Sequence, residues 1–267
     1  MIQSEKIRSV SGLAAGMAHE INNPLGIILQ TIQNMERRLS PDFYQNIEFA
    51  KKHNINLTHL QKYLKDRNIL NYLKEIRNSG NRAANIIKDM LRFSRKSEAQ
   101  FTKVNIIDIM ENSLKLATQD YDLSKKHDFK LIKIIKEFQA AHMSVACTES
   151  EIEQVFLNLH KNAAYALAEL EDGETPKIFI RIITEDDMCR IEIEDNGPGM
   201  EEQVRLKVFE PFYTTKPVGD GTGLGLSVSY LIVTNNHKGT MEVESEPGNG
   251  TKFIIRLPIT RPAQSTI

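Results

Sequence analysis

Ten apolar residues recur at steps of three and four along the N-terminal region: Ile7, Val10, Ala14, Met17, Ile21, Leu25, Ile28, Ile32, Met35 and Leu39. An α-helix is the regular backbone that brings such a series onto one side. The run predicts about 50 Å of helix at ~1.5 Å per residue. A second run keeps the same rhythm at Ile69, Leu73, Ile76, Gly80, Ala83, Ile87, Met90 and Ser94. Two such stripes exceed what an isolated helical pair can bury. A homodimer that builds a four-helix bundle would cover both, and packing of the pair on the rest of the chain is the alternative. Pro41 stops the first helix. Between the helices, residues 41–67 carry Phe43, Tyr44, Ile47, Leu57, Leu60 and Leu64, a pattern of short helices. We expect them to elaborate the bundle tip; an insert that senses or docks something is the other reading.

The rhythm changes after the second helix. Residues 95–104 are polar. Asn105 can cap a helix reaching about Gln119. Strand-like runs follow at 129–136 and 143–147, then a helix from about Glu149 to Leu170. Paired strands are expected at Lys177–Thr184 and Met188–Glu194, a helix from about Gly223 to Asn235, and a last strand pair at 240–245 and 251–257. The expected class is α+β: a long helical hairpin forming a dimeric bundle, then an α/β two-layer sandwich. The expected divisions are 1–97 with an insert around 41–67, a linker at 98–104, a second domain at 105–260 and a tail at 261–267.

A formal net charge of −1 gives no reason to expect nucleic acid or an acidic membrane as partner. The basic run 125–136 interleaves Lys130, Lys133 and Lys136 with apolar residues, as a solvated strand or loop face does. Cys147 and Cys189 lie far apart in apolar, strand-like segments, the pattern of buried free thiols in a reducing compartment. No apolar run approaches the ~20 residues of a membrane helix, and no signal peptide is visible. The expected compartment is the cytoplasm, as a free chain or as the cytoplasmic part of a longer or membrane-bound sensor.

Three glycine-rich pieces follow one another: DNGPGM from Asp195, FEPFYTTK from Phe209 and GDGTGLGLS from Gly219. A carboxylate at the end of a strand, here Asp195, can accept the exocyclic amine of adenine, and Gly197 and Gly199 let the chain turn under the base. Gly221, Gly223 and Gly225 let main chain approach phosphates just before a helix begins. Lys216 can reach a phosphate as a point charge. Phe209 and Phe212 are expected to pack this segment against the domain. Upstream, Asn158 and Asn162 are four apart and share a helix face, while Val155, Leu159 and Ala163 anchor the helix. Amide oxygens suit Mg²⁺, which keeps several waters and needs few protein ligands. The P-loop and dinucleotide-binding spacings are missing.

The first helix contains GLAAGMAHEINNP. His19 lies outside the apolar stripe, with Glu20 beside it and Asn23 one turn on. A neutral imidazole attacks a phosphoryl group best when a base takes the proton from its other nitrogen, and Glu20 could do so. Pro24 removes a backbone hydrogen bond and should kink the helix there, as a hinge or as a tolerated irregularity. The other histidines, His53, His59, His127, His142, His160 and His237, lack such a context and read as structural or surface.

HEINNP, NLHKNA, DNGPGM, FEPFYTTK and GTGLGL resemble the phosphoacceptor and nucleotide boxes of sensor histidine kinases, and GNGTKFIIRLP resembles the family's last box. The resemblance implies a dimerisation and phosphoacceptor domain followed by an ATP-binding domain of the gyrase and MutL type. It implies ATP and Mg²⁺ as ligands, phosphorylation of His19, assistance from Glu20, and a part for Asn23 in dephosphorylating a partner. The implied partners are a second copy through the hairpin and a response-regulator receiver domain. The nucleotide residues carried over are Asn158, Asn162, Asp195, Gly197, Gly199, Thr215, Lys216, Gly221, Thr222, Gly223, Leu224, Gly225 and Thr251, with Asn162 also the metal ligand. One departure stands out: the family often has His-Gly-Gly after the last glycine-box helix, and this chain has His237, Lys238, Gly239. Two other functions remain open: a conformational ATPase of the gyrase/MutL type, and a non-catalytic dimeric scaffold or phosphatase.

Overall fold

The computed structural model describes residues 2–94, 101–119, 129–171, 173–217 and 221–260, with the side chains of residues 2–19, Asn85 and 88–94 outside that description. It forms two compact units, Met1–Lys96 and Ser97–Ile267.

The first unit is all helix: α1 (Ile2–Leu39), α2 (Tyr44–Lys52), α3 (Leu57–Asp66) and α4 (Ile69–Ser94). α1 runs through Pro24 unbroken and packs along α4. Gly80 makes the close approach possible, because a Cβ there would stand 2.7 Å from Leu29 Cδ2. Ile32, Leu73 and Ile87 are buried, and Arg77 donates to Glu36 at 2.7 Å. The apolar stripe of α1 divides in two. Leu25, Ile32 and Leu39 turn inward, whereas Ile21, Ile28 and Met35 are 41%, 47% and 48% exposed. The insert is two short helices, and they close the end of α1. The Asn46 amide donates to the Arg37 and Ser40 carbonyls, and the Gln61 amide donates to the Leu39 carbonyl. These are the carbonyls that a helix end leaves without partners. The expected elaboration of the tip is thus a C-terminal cap made of side chains.

The second unit opens with β1 (Thr102–Asn105), α5 (Ile106–Gln119), β2 (Lys133–Phe138), β3 (Ser144–Cys147) and α6 (Glu149–Leu167). β4 (Lys177–Glu185), β5 (Met188–Asp195), α7 (Glu202–Arg205), α8 (Gly225–Leu231), β6 (Thr240–Ser245) and β7 (Thr251–Pro258) complete it. Five strands form one sheet in the order β2-β4-β5-β7-β6, parallel between β2 and β4 and antiparallel elsewhere. β1 pairs with β3, so residues 102–104, expected in the linker, are strand. Asn105 earns its place at the start of α5, since its Oδ1 accepts from Ile107 N–H at 3.4 Å and Met143 N–H at 2.9 Å.

Period-two alternation places Ile178, Ile180 and Ile182 of β4 in the core and leaves Phe179 and Arg181 outside. The core face packs on α6 through Ile152, Val155, Phe156, Leu159 and Ala163, with burial worth about 1.5–3 kcal/mol for each large side chain. The opposite face is a ladder of ion pairs, among them Arg181–Glu192 at 2.7 Å, Arg190–Glu192 at 2.6 Å and Arg256–Glu185 at 2.9 Å. Both cysteines are buried free thiols, pushed up to about 12 by burial. Among the described residues no helix is long and apolar enough to cross a membrane.

The expected helix Gly223–Asn235 begins at Gly225 and loosens into a π-helical turn, Ile232–Asn236. His237 closes that turn from inside. Its Nδ1–H donates to the Ile232 carbonyl at 2.8 Å, and its Nε2 accepts the Thr148 N–H at 3.0 Å. Lys238 takes φ +56°, the conformation that favours glycine. At Gly239 a Cβ would meet the Arg256 carbonyl. The chain therefore keeps glycine where space forbids a side chain and substitutes it where only φ resists. His160 is also structural: it is fully buried, its Nε2 lies 3.1 Å from Ser113 Oγ, and burial lowers its pKa to about 4. His53, His59 and His142 are exposed, and His127 lies outside the described residues.

Candidate functional site

α6 is the spine of the site. Its anchored face holds it to the sheet, and Asn158 and Asn162 project from another side, as their spacing requires. The Asn158 amide donates to the Gly225 carbonyl at 3.1 Å and to Ser229 Oγ at 3.2 Å. It thereby fixes the start of α8, whose own backbone N–H groups open toward the glycine loop. Gly225 lies against this amide, where a Cβ would stand 3.7 Å from Asn158 Cγ. Asn162 Oδ1 accepts from Lys216 Nζ at 3.0 Å, and that ammonium lies 4.1 Å from the centre of the Tyr165 ring.

Asp195 ends β5 and is 5% exposed. Its Oδ1 accepts the Gly197 N–H at 2.9 Å. Burial pushes its carboxyl up to about 6, against the opposing pull of the Gly197 and Thr251 N–H groups. Gly197 fits between this carboxylate and Ala166 of α6, with a Cβ there 2.8 Å from Asp195 Oδ1 and 3.1 Å from Ala166 Cβ. Thr251 pairs with Asp195 across the β5–β7 ladder and contacts Ser245 Oγ at 3.1 Å. The turn before β7 is bound to the Asp195 loop by Gly248 N–H, which donates to the Pro198 carbonyl at 2.7 Å. Gly199 packs so close to the Glu246 carbonyl that a Cβ there would collide with it.

The segment between the glycine boxes folds back on α6. Thr214 Oγ1 accepts the Lys216 N–H at 3.1 Å, and Gly221 leaves room for both residues, since a Cβ there would stand 2.9 Å from Thr214 Oγ1. Thr215 is exposed, Leu224 is buried, and Thr222 Oγ1 accepts the Leu224 N–H at 3.3 Å. Phe209 packs between Tyr230 and Phe253, at 5.1 and 6.3 Å between ring centres. Phe212 does not pack as expected. It is 49% exposed and sits at φ +65°, held by its N–H donating to the Gly223 carbonyl at 3.0 Å. A bulky residue there is strained, and the contact that holds it requires Gly223, whose own φ is +66°.

The second unit thus brings Asn158, Asn162, Asp195, Gly197, Lys216, Gly221, Gly225 and Thr251 around α6. His19, Glu20 and Asn23 lie on α1, in the other unit. Glu20 and Asn23 are exposed, and the His19 side chain lies outside the described residues. Tyr165, Asn196, Ser229 and Gly250 were not singled out from sequence. Asn196 accepts the Lys177 N–H at 2.7 Å and donates to the Thr175 carbonyl at 3.1 Å, which ties the loop to β4. Its neighbour in the DNG triplet was the only hint. A groove of about 720 Å³ beside Met200 and Gly250 is lined by Glu194, Glu201, Glu202, Glu244 and Glu246 against Arg205 and Lys252. That balance of charge repels phosphate, so the donor geometry along α6 marks the better anion site.

Residues 147–261 match the family model described as histidine kinase-, DNA gyrase B-, and HSP90-like ATPase. Residues 9–99 match the His Kinase A (phospho-acceptor) domain. The solved catalytic domain of histidine kinase ThkA is 30% identical, with a TM-score of 0.51 over 61% of this chain and 97% of that one. The chain belongs to the histidine kinases. Across the whole chain it is 30% identical to the signal transduction histidine-protein kinase AtoS of Escherichia coli (strain K12), covering 100% of this chain and 38% of AtoS. The chain spans less than half the length of the curated relatives it matches. ThkA in complex with the response regulator protein TrrA is also similar, at 25% identity and a TM-score of 0.60, over 98% of this chain and 65% of that one. The phospho-acceptor match falls almost wholly in the helical unit, and the ATPase match falls within the sheet unit.

Proposed function

We propose that this chain is the core of an autophosphorylating protein-histidine kinase that takes ATP as its phosphoryl donor. The observation that carries the reading is the convergence on α6 of two amides, a buried acceptor and a cation. Asn158 sets the glycine loop, Asp195 offers its carboxylate to the adenine amine, and Lys216 reaches Asn162 from the segment between the glycine boxes. The helix that bears HEINNP belongs to the same chain.

In this reading a His19 ring nitrogen attacks the γ-phosphorus in line with the bridging oxygen. The P–N bond forms, the P–O bond to ADP breaks, and Glu20 takes the proton from the other ring nitrogen. An aspartate of a response-regulator receiver domain then accepts the phosphoryl group, and Asn23 would serve the reverse traffic by aiding hydrolysis of that aspartyl phosphate. The residues fit Mg²⁺, because Asn162 Oδ1 is a hard oxygen that already faces a cation at 3.0 Å. When bound there, Mg²⁺ would shield the charge of the phosphates. A second copy is expected to cover the exposed lane of α1. The cytoplasm remains the expected compartment.

Incubation with γ-labelled ATP and Mg²⁺ should leave acid-labile, alkali-stable label on the chain. His19→Gln should reduce that label to background while nucleotide binding is retained. Equal labelling of the variant would overturn the reading; a conformational ATPase would release phosphate without labelling either protein.

A further inference from the structure

Lys216 is held in the site by two surfaces at once. Lys216 donates to Asn162 Oδ1 at 3.0 Å, and the same ammonium stands 4.1 Å from the centre of the Tyr165 ring. Asn162 and Tyr165 are one turn apart on α6 and so present both surfaces to one cation. The amide oxygen supplies a lone pair and the ring supplies the negative face of its quadrupole. A further hydrogen bond, Lys216 N–H to Thr214 Oγ1 at 3.1 Å, sets the backbone from which the lysine reaches. The aliphatic stem lies along Gly221, where a Cβ would stand 3.1 Å from Lys216 Cδ. The ammonium is thus located by α6, by its own loop and by the third glycine box.

We propose that Lys216 is the resident cation of the Asn162 oxygen and that Tyr165 is the positioning residue which keeps it there until a metal–nucleotide displaces it. The proposal rests on the nucleotide-site reading given above. Its physical basis is competition. A single amide oxygen facing an ammonium at hydrogen-bond distance cannot at the same time coordinate a divalent ion, since two like charges would meet at close range. On loading, Lys216 leaves the Asn162 oxygen and the Tyr165 ring, and its charge becomes available to a phosphate. The site is therefore never without a positive partner for its amide. The cost of lifting the lysine off the ring is subtracted from the affinity for the loaded metal–nucleotide. The lysine serves in two places in turn, and the tyrosine sets how readily it changes.

The test uses the full chain, Tyr165→Leu, Tyr165→Phe and a non-hydrolysable ATP analogue with Mg²⁺, with calorimetry as the first readout. Removing the ring should tighten binding of the Mg²⁺–analogue about 2–5-fold, the size of one exposed cation–π contact. Tyr165→Phe keeps the ring face and should bind as the parent does. The second readout is nucleotide-free. The ring current of Tyr165 should shift the Lys216 ε-methylene protons upfield in the parent and in Tyr165→Phe, and the shift should vanish in Tyr165→Leu. It should also vanish in the parent when the Mg²⁺–analogue saturates. Persistence of the upfield signal at saturation overturns the exchange. Unchanged or weaker binding by Tyr165→Leu overturns the positioning role and assigns the ring to structure or to direct nucleotide contact. A parent chain that binds no analogue at all would instead count against the proposed function, while the nucleotide-free signal would still report whether the lysine rests on the ring.

Discussion

Burial holds the Asp195 carboxyl at about 6, well above its ordinary value of 3.8. A carboxyl with a higher pKa in the folded chain stabilises the fold when protonated. That contribution is complete below about pH 4 and is lost as pH rises through 6. At neutral pH the ionised group therefore costs stability, on the order of 3 kcal/mol for a shift of this size. Asp195→Asn should raise stability at pH 7–8 and flatten the loss between pH 4 and 6, as read by urea unfolding across that range. The same substitution should weaken the ATP analogue about tenfold or more, the loss expected for one buried hydrogen bond to a charged acceptor. In the parent chain the analogue's Kd should rise as pH falls below 6. If the variant binds as tightly as the parent, adenine is recognised elsewhere. The place of Asp195, at a strand end beside a tight turn, was legible in the sequence because carboxylate and glycines stood together. Tyr165 was not, because a tyrosine on a helix carries no sign of which cation approaches its face. Phe212 was misread for a related reason: an aromatic in an apolar-looking box suggests packing, and sequence gives no access to its φ.

Helix periodicity told where α1, α4 and α6 lie, but it blurred their sides. Steps of three and four merge two lanes that lie only ~40–60° apart around the helix. Leu29, which meets Gly80, escaped the sequence stripe, whereas Ile28 joined it and is exposed. Gly80 itself stood in the stripe as a gap; the gap is the contact. Gly80→Ile should drive branched carbons into Leu29 and Leu25 and destabilise the hairpin by about 1–3 kcal/mol, the usual cost of overpacking. Thermal unfolding followed by circular dichroism of the full chain would show an earlier helical transition, and an unchanged transition would mean that the two helices are not held at this point. The end of α8 was also out of reach. Its π-helical turn depends on the His237 ring reaching the Thr148 N–H, a partner 89 positions away. Local propensity knows nothing of such a bond. The extent of the insert was plain from Pro41 and its apolar spacing, but its task as a cap on α1 came from Asn46 and Gln61, two amides of a kind common on any surface.

For the whole molecule, composition excluded more than it specified. Neutral net charge and ordinary apolar content allow almost any two-unit protein; ordered motifs on two differently patterned stretches narrowed the choice. Their separation is also the reason the transfer geometry was not readable, since His19 and α6 belong to different units. The lane Ile21, Ile28 and Met35 of α1 is exposed, as is Ile76 of α4, and these apolar residues are where a second copy is expected. Ile28→Glu should shift the chain toward monomer in sedimentation equilibrium while the sheet unit keeps its fold. A variant as dimeric as the parent would place the contact on another face. The lane has one more effect. If a hairpin completes its apolar layer only by meeting its own twin, its stability has no fixed value. Each tenfold dilution would then withdraw about 1.4 kcal/mol from the assembled state. The cell's copy number would thus set how much of α1 is properly folded.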